Sequence, residues 1–290
     1  MTKKTLFVAI CGKPNVGKST ILNAFLKEKL SIVSPKVQTT RNAIKGILTE
    51  NDVQIVFVDT PGILSNPKGN LQSVITKNAW NALKDVDIAC VIIDSSRGFN
   101  KEAEKLSRYI KAKVPNVICI LNKTDAVKHN EQNLRNAQAI WDTGIFTDIF
   151  PVSATKEEGL DNVRQHLINN AKITESWHYN EDDITDKPNN FIASEVTRET
   201  IFFKLNQELP YSISVETNTF EEKNDGIHIS QNIILLREAH KKIVIGEHGS
   251  MIKSIRITTE NKLNKFYQKP ITLDLTVKIR TGWIDNILPD

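Results

Sequence analysis

The sequence predicts an α/β domain with a mostly parallel sheet, followed by a small α+β domain. The chain has 290 residues, of which 40% are apolar, and this is enough for two domains with separate cores. Near-continuous apolar runs of strand length alternate with helical patterns, at residues 6–10, 54–58, 88–94, 116–121 and 148–152. Such runs are typical of parallel strands buried on both faces, and ligands of these sheets bind beyond the carboxyl ends of the strands.

The domain boundaries are predicted from the loss of helix and strand patterns after residue 172. A charged, Asn-containing linker at 173–190 separates the larger α/β domain, 1–172, from the smaller domain, 191–290. The smaller domain is predicted to contain, in order, a helix at 194–209, strands at 211–217, 227–237 and 241–245, a glycine turn, a helix, a further helical stretch at 258–269 and a strand at 271–280.

Composition argues against several classes of protein. No apolar run approaches the roughly 20 residues of a membrane-spanning helix. The start is basic and then apolar but leads directly into a glycine loop, which indicates a buried first strand and no signal peptide. Cys11, Cys90 and Cys119 lack metal-ligand spacing and lie in or beside apolar runs. We therefore expect reduced core thiols in a cytoplasmic protein.

The formal net charge of +4 conceals an uneven distribution along the chain. Residues 229–282 contain ten basic and four acidic side chains, whereas residues 181–228 contain four basic and eleven acidic ones. The basic segment is a candidate surface for polyanions such as nucleic acid.

The loop after the first apolar run fits the phosphate-loop pattern G-x-x-x-x-G-K-[ST]. Its glycines let the backbone curl so that successive N–H groups face the β- and γ-phosphates of a nucleotide. Lys18 would neutralise phosphate charge, Ser19 would bind Mg²⁺, and the helix beginning near Ser19 would add its positive end. The predicted contacts in this loop are Gly12, Lys13, Pro14, Asn15, Val16, Gly17, Lys18, Ser19 and Thr20.

The base is predicted from two later loops, which again follow strands. In "NKTD", Asp125 can accept from both N1–H and the exocyclic amine of guanine, Asn122 would tie the loops together, and the Lys123 stem would lie over the base. In "SATK", Ser153 and Ala154 follow the last strand, and the Ala154 N–H is expected to face guanine O6. The ligand is therefore predicted to be GTP or GDP, with ATP as the alternative.

Between the phosphate loop and the base loops, the sequence contains a predicted nucleotide-dependent switch. In "DTPG", Asp59 would hold Mg²⁺ through water, and the Gly62 N–H would contact the γ-phosphate, with Thr60 and Pro61 between them. Thr40 is the residue chosen to close over Mg²⁺ and the γ-phosphate, and Thr39 is the alternative. A segment ordered by the γ-phosphate and released on hydrolysis acts as a switch.

Hydrolysis is predicted to depend on Lys18, Thr40 and Gly62, without a glutamine to orient the attacking water. Ile63 occupies the position after Gly62, so intrinsic hydrolysis should be slow or water must be placed by other means. Asn15 is a candidate ligand for a monovalent cation, K⁺, which would add positive charge near the phosphates. The alternative is that Asn15 only shapes the loop.

A second glycine loop, in "VIGEHGSMIKSI", lacks the Lys-Ser signature and cannot form another triphosphate site. A G-x-x-G turn opening a helix admits a nucleic-acid backbone, as in the KH fold. The alternative is an ordinary strand–helix turn, and Glu247 is unfavourable for phosphate. The predicted RNA-binding residues are Lys241, Lys242, Gly246, Glu247, His248, Gly249, Lys253 and Arg256.

Taken together, these motifs resemble the Era-like GTPases of bacteria over nearly the whole chain. The segments that show the resemblance are "GKPNVGKST", "QTTR", "DTPG", "NKTD", "SATK", "QELPYSISVE" and "VIGEHGSMIKSI". The resemblance implies a Ras-like GTPase domain joined to a type II KH domain that binds the 3′ end of 16S rRNA. It also implies assistance in maturation of the 30S subunit and some peripheral association with the inner membrane. The family commonly has a basic residue where this chain has Glu247.

Three functions are compatible with the sequence. The first is a GTP-hydrolysing switch, expected to be monomeric, whose nucleotide state controls RNA binding. The second is an RNA-binding scaffold in which the nucleotide is mainly structural. In the third, the C-terminal domain docks on a protein or a membrane.

Overall fold

The computed structural model describes residues 2–27, 44–60, 80–81, 83–127, 130–205 and 213–280. It divides the chain into two compact units, Met1–Asp186 and Lys187–Asp290. The exact boundaries at 172 and 191 stay predictions.

The first unit alternates strands with helices. Its strands are β1 (Lys4–Gly12), β2 (Ile44–Glu50), β3 (Val53–Asp59), β4 (Ile88–Asp94), β5 (Val117–Asn122), β6 (Ile149–Pro151) and β7 (Lys172–Ile173). Among its described residues, the helices are α1 (Lys18–Leu26), α2 (Lys101–Lys111), α3 (Asn130–Trp141) and α4 (Leu160–Asn169).

These strands form one sheet in the order β2-β3-β1-β4-β5-β6, with β7 paired to the start of β1. The pairs β1·β3, β1·β4, β4·β5 and β5·β6 are parallel, which confirms the predicted mostly parallel sheet. All residues of β3 and β4 are buried, as expected for strands covered on both faces. The carboxyl ends of these parallel strands therefore meet at one edge of the sheet.

The edge strand β2 runs antiparallel to β3, with Ile44 opposite Asp59. No strand is predicted there from the sequence, because Lys45 and Gly46 interrupt a short apolar run. Packing explains why glycine is present at position 46, since a Cβ there would lie 2.8 Å from atoms of Leu22 and Leu26 on α1.

Residues 174–186, which we call the strap, pack onto the rest of the first unit. Gln54 on β3, 0% exposed, holds them. Its Nε2 donates to the Tyr179 carbonyl at 3.1 Å, and its Oε1 accepts from the His178 and Tyr179 N–H groups at 3.1 Å each. Lys45 Nζ also donates to the Tyr179 hydroxyl at 3.0 Å. Much of the predicted linker therefore belongs structurally to the first unit.

The second unit has the element order αββααβ. It contains α5 (Asn189–Lys204), β8 (Ile213–Lys223), β9 (Gly226–Leu235), α6 (Glu238–Ile245), α7 (Ser250–Tyr267) and β10 (Ile271–Ile279). The sheet order is β10-β9-β8, with β9·β10 parallel and β8·β9 antiparallel. Apolar side chains of α5, α6 and α7 pack with the sheet to form its core.

The predicted strand at 241–245 is wrong, since these residues form the second half of α6. Of the three β-branched residues in this run, only Val244 is buried, whereas Ile243 is 54% exposed. Burial therefore follows one side of a helix and not a sheet face. The two helical stretches predicted beyond the glycine turn are one helix, α7. Among the residues that the structure describes, no helix combines the length and apolar character that crossing a membrane requires.

Candidate functional site

The loop between β1 and α1 depends on its two glycines. Gly12 and Gly17 have φ angles of 147° and 102°, which favour glycine. A Cβ on Gly12 would lie 2.7 Å from the Ile92 carbonyl oxygen, and one on Gly17 would collide with Asn122 Nδ2. Backbone curvature and close packing therefore both require glycine here.

Lys18 begins α1 and turns its ammonium back into the loop. Nζ donates to the Lys13 carbonyl at 2.9 Å and lies 3.3 Å from the Gly12 carbonyl. Only 7% of the residue is exposed. Burial lowers the pKa of Lys18 from 10.5 to about 8, although the Asp59 carboxylate acts in the opposite direction. The loop thus holds the Lys18 ammonium group in a place where it could bind an anion.

Two oxygen atoms that could serve as ligands of a hard divalent cation lie close together at the start of α1. Ser19 Oγ donates to Asp59 Oδ2 at 3.2 Å, and both residues are buried. Within the described ranges, no set of three His, Cys, Asp or Glu side chains could hold a metal by itself. This pair fits Mg²⁺, which is usually bound by one or two protein ligands together with substrate phosphates. Thr60, next along the chain, is buried and donates through Oγ1 to the Ile10 carbonyl at 2.7 Å.

Asn122 joins the phosphate loop to the loop after β6. Its Nδ2 donates to the Val16 carbonyl at 2.9 Å, and its Oδ1 accepts from the Ala154 N–H at 3.1 Å. Because Ala154 N–H is engaged by Asn122, its assignment to guanine O6 stays a prediction. Ser153 Oγ donates to Asp125 Oδ1 at 2.6 Å, which fixes the carboxylate chosen as the guanine discriminator.

Sequence reasoning missed Asp94, which ends β4 beside this site. Asp94 is 3% exposed, and its Oδ2 lies 2.7 Å from Lys123 Nζ. Lys123 Nζ also donates to the Asn15 carbonyl at 2.7 Å. The available signal was a carboxylate at the end of the buried run "IACVIID", at the same sheet edge as the other loops.

Two contacts made by helices stabilise the sheet edge at which these loops lie. Asn136 of α3 donates to the Ser95 carbonyl at 2.9 Å, next to Asp94. The Lys13 ammonium pairs with Glu102 in the first turn of α2.

The predicted residues Thr40, Pro61 and Gly62, together with Thr39 and Ile63, lie outside the described residues.

In the second unit, the G-x-x-G turn lies between α6 and α7. Gly246 and Gly249 each have φ 75°, and His248 has φ 49°. A Cβ on Gly246 would lie 2.7 Å from Met251 backbone nitrogen and Cβ, so the chain approaches α7 too closely for any side chain. The side chains of Glu247 and His248 are 90% and 93% exposed, and the turn thus projects into solvent.

The predicted basic residues flank this turn on both helices. Lys242 and Lys253 are exposed, Lys241 and Arg256 are half-buried, and Lys241 Nζ lies 3.7 Å from Glu238. The structure thus places all eight predicted RNA-binding residues on α6, the turn and the first two turns of α7. Of the flanking isoleucines, Ile255 is fully buried in the core.

Comparison with known families and proteins gives consistent matches. The profile of the 50S ribosome-binding GTPase family matches residues 7–123, and that of the KH domain matches residues 208–284. The chain is 41% identical over 297 residues to the GTPase Era of Rickettsia bellii, covering 99% of this chain and 97% of that protein. It is also 41% identical over 281 residues to the GTPase Era of Bradyrhizobium diazoefficiens, covering 97% and 90%.

Solved structures match over the same length. A variant of Aquifex aeolicus Era bound to GDP·AlF4⁻ gives a TM-score of 0.89 at 34% identity, covering 97% of this chain and 95% of that one. A structure of Era in complex with MgGDPNP and nucleotides 1506–1542 of 16S ribosomal RNA gives 0.90, with the same identity and coverage.

Proposed function

The chain belongs to the Era family of GTPases, and on that premise we propose that it is a GTP-driven switch acting on the 3′ end of 16S rRNA. In this proposal, the nucleotide state of the first unit governs RNA binding by the KH domain and so assists maturation of the 30S subunit. The observation that carries it is the Asn122 bridge, because it joins the phosphate loop to the loop after β6, whose Ser153 holds Asp125, the carboxylate predicted to select guanine.

Guanine nucleotide would bind across the carboxyl ends of the strands. Asp125, held by Ser153, would accept from N1–H and the exocyclic amine of guanine, and the Lys123 stem would lie over the base. Lys18 and the N–H groups of the loop would bind the phosphates. Relatives support this assignment, since the Era structures described above contain GDP·AlF4⁻ and MgGDPNP.

Ser19 and Asp59 would hold Mg²⁺, together with Thr40, which lies outside the described residues. Bound there, Mg²⁺ supplies charge neutralisation at the β- and γ-phosphates. Lys18 would stabilise charge that develops on the phosphate oxygens as water attacks the γ-phosphate. Gly62, also outside the described residues, would contribute its N–H there. We assign Asn15 to a K⁺ ion that adds further positive charge.

The KH domain would bind single-stranded RNA along α6, the G-x-x-G turn and α7. Its glycines admit a sugar–phosphate backbone, and Lys242, Lys253 and Arg256 supply positive charge. Support comes from the Era complex with nucleotides 1506–1542 of 16S rRNA. Glu247 at the tip of the turn is expected to weaken the electrostatic part of this binding.

The test is the affinity for a 3′-end 16S rRNA oligonucleotide with a GTP analogue, with GDP and without nucleotide, over a salt series. The switch predicts affinities that differ between the three states, and equal affinities would refute it. Lys18→Ala separates the scaffold alternative, which predicts normal 30S maturation after loss of hydrolysis. Vesicles containing anionic lipid separate the membrane alternative, which predicts lipid binding and indifference to the oligonucleotide.

A further inference from the structure

Asp94 is a buried carboxylate at the nucleotide edge of the sheet. It is the last residue of β4 and lies opposite Asn122 in the β4·β5 register. Only 3% of it is exposed. A buried charge is costly unless it is paired and hydrogen-bonded, so its partners indicate why it is there.

Both oxygens of Asp94 have defined partners. Oδ1 accepts from the Ser96 N–H at 3.0 Å and from Ser96 Oγ at 2.6 Å, which fixes the rotation of the carboxylate. Oδ2 accepts from Lys123 Nζ at 2.7 Å, and Nε of the largely exposed Arg97 lies 3.6 Å from the same oxygen. Burial raises the pKa of Asp94, but hydrogen bonds from Lys123 and Ser96 outweigh burial and hold the pKa below its ordinary value. Asp94 therefore faces Lys123 as an anion at neutral pH.

Lys123 is held at its far end by two acceptors from different loops. Its ammonium donates to Asp94 Oδ2 and to the Asn15 carbonyl, at 2.7 Å each. Its backbone, with φ 62°, lies in the left-handed region that directs the chain out of β5. With both ends fixed, the four-carbon stem between them loses most of the rotamer freedom that a surface lysine keeps.

We propose that Asp94 is a positioning residue for guanine nucleotide, acting through Lys123, whose stem it holds in place to cover the base. This inference rests on the proposed function, because it requires the base to lie against Lys123. Base contacts are the same before and after the γ-phosphate is lost. Removing the Asp94 charge should therefore weaken GDP and GTP equally, raising KM while leaving kcat unchanged.

The experiment measures dissociation of a fluorescent GDP analogue from the full-length chain. Asp94→Asn should release the analogue about 10- to 100-fold faster, the range expected on losing a hydrogen bond between charged groups. Asp87→Asn is the matched control. Asp87 precedes the other end of β4, where it accepts from the Phe7 N–H at 2.9 Å and from Lys172 Nζ at 2.5 Å. This control should release the analogue at the wild-type rate.

A double-variant cycle separates positioning from general damage. If Asp94 acts through Lys123, Asp94→Asn combined with Lys123→Ala should dissociate no faster than Lys123→Ala alone. Should Asp94→Asn fail to fold, Ser96→Ala keeps the charge but frees its rotation, and should speed release about two- to fivefold.

Three results would count against the inference. A wild-type dissociation rate in folded Asp94→Asn, or in Ser96→Ala where Asp94→Asn does not fold, additive effects in the cycle, or a fall in kcat at unchanged KM would each overturn it while leaving the proposed function intact. Failure of the wild-type chain to bind GDP would overturn the proposed function itself.

Discussion

Nucleotide binding near pH 8 should take up a proton at Lys18. Burial lowers the pKa of this lysine to about 8 in the protein without nucleotide, so part of it is neutral there. Phosphate oxygens placed against the ammonium favour its charged form and raise the pKa. Binding must therefore be accompanied by protonation of the neutral fraction.

The size of the effect follows from the pKa of about 8. About half of the lysine is neutral at pH 8 and about three quarters at pH 8.5, so these fractions of a proton should be taken up per nucleotide. The affinity should fall about threefold from pH 7.5 to 8.5. For folding, the depressed pKa means that the stability cost of burying the ammonium is fully present below about pH 8. That cost is relieved as pH rises from about 8 towards 10.5.

The assay is calorimetric titration with GDP in buffers that differ in ionisation heat, below the pH at which guanine loses its own N1 proton. The dependence of the observed heat on the buffer gives the number of protons taken up. Lys13→Arg, which alters the surface lysine paired with Glu102, should keep the uptake. Lys18→Arg should abolish it, because a guanidinium does not titrate in this range. No uptake by the wild-type protein at pH 8, or equal uptake in Lys18→Arg, would refute the reasoning.

Three further predictions concern other parts of the site. Asn122→Ala leaves the Val16 carbonyl and the Ala154 N–H without their bonds, so calorimetry should show a Tm lower by about 4–8 °C; an unchanged Tm would contradict the bridging role. Hydrolysis should be faster in K⁺ than in Na⁺, and Asn15→Ala should remove the difference; equal wild-type rates would exclude the cation assignment. Glu247→Lys should tighten binding of the 3′-end oligonucleotide and steepen its log–log salt dependence by about 0.7, whereas no change in slope would place the turn away from the RNA backbone.

Sequence alone was sufficient where one local pattern fixes both conformation and chemistry. The predicted fold and family are confirmed. They could be predicted because the apolar runs and the order of the loops along the chain determine which edge of the sheet the loops share. Val16 and Asn122 are 106 positions apart, yet Val16 follows β1 and Asn122 ends β5, and the carboxyl ends of these strands lie at the same edge of the sheet. The individual ligand contacts stay predictions.

Where the sequence failed, tertiary packing decided the outcome. Residues 241–245 contain three β-branched residues in a row, but only one of them is buried in the core, so the helix is favoured. Asp94 had no motif, since its partner Lys123 is 29 residues away and the pairing depends on strand register. The hydrogen bonds of Gln54 could not be predicted from the sequence either, because their partners lie 124 and 125 positions later.

The strap determines where the chain can be divided for experiments on one unit. A fragment ending at residue 172 would deprive the buried Gln54 amide of its three bonds to His178 and Tyr179. Each intramolecular hydrogen bond contributes about 0.5–1.5 kcal/mol net, so the three together are a large share of the stability of a domain. A fragment ending at Asp186 keeps all three bonds. Isolated preparations of the first unit should therefore extend to Asp186, because the shorter fragment also loses the bond from the Ile47 N–H on β2 to the Ile184 carbonyl at 2.9 Å.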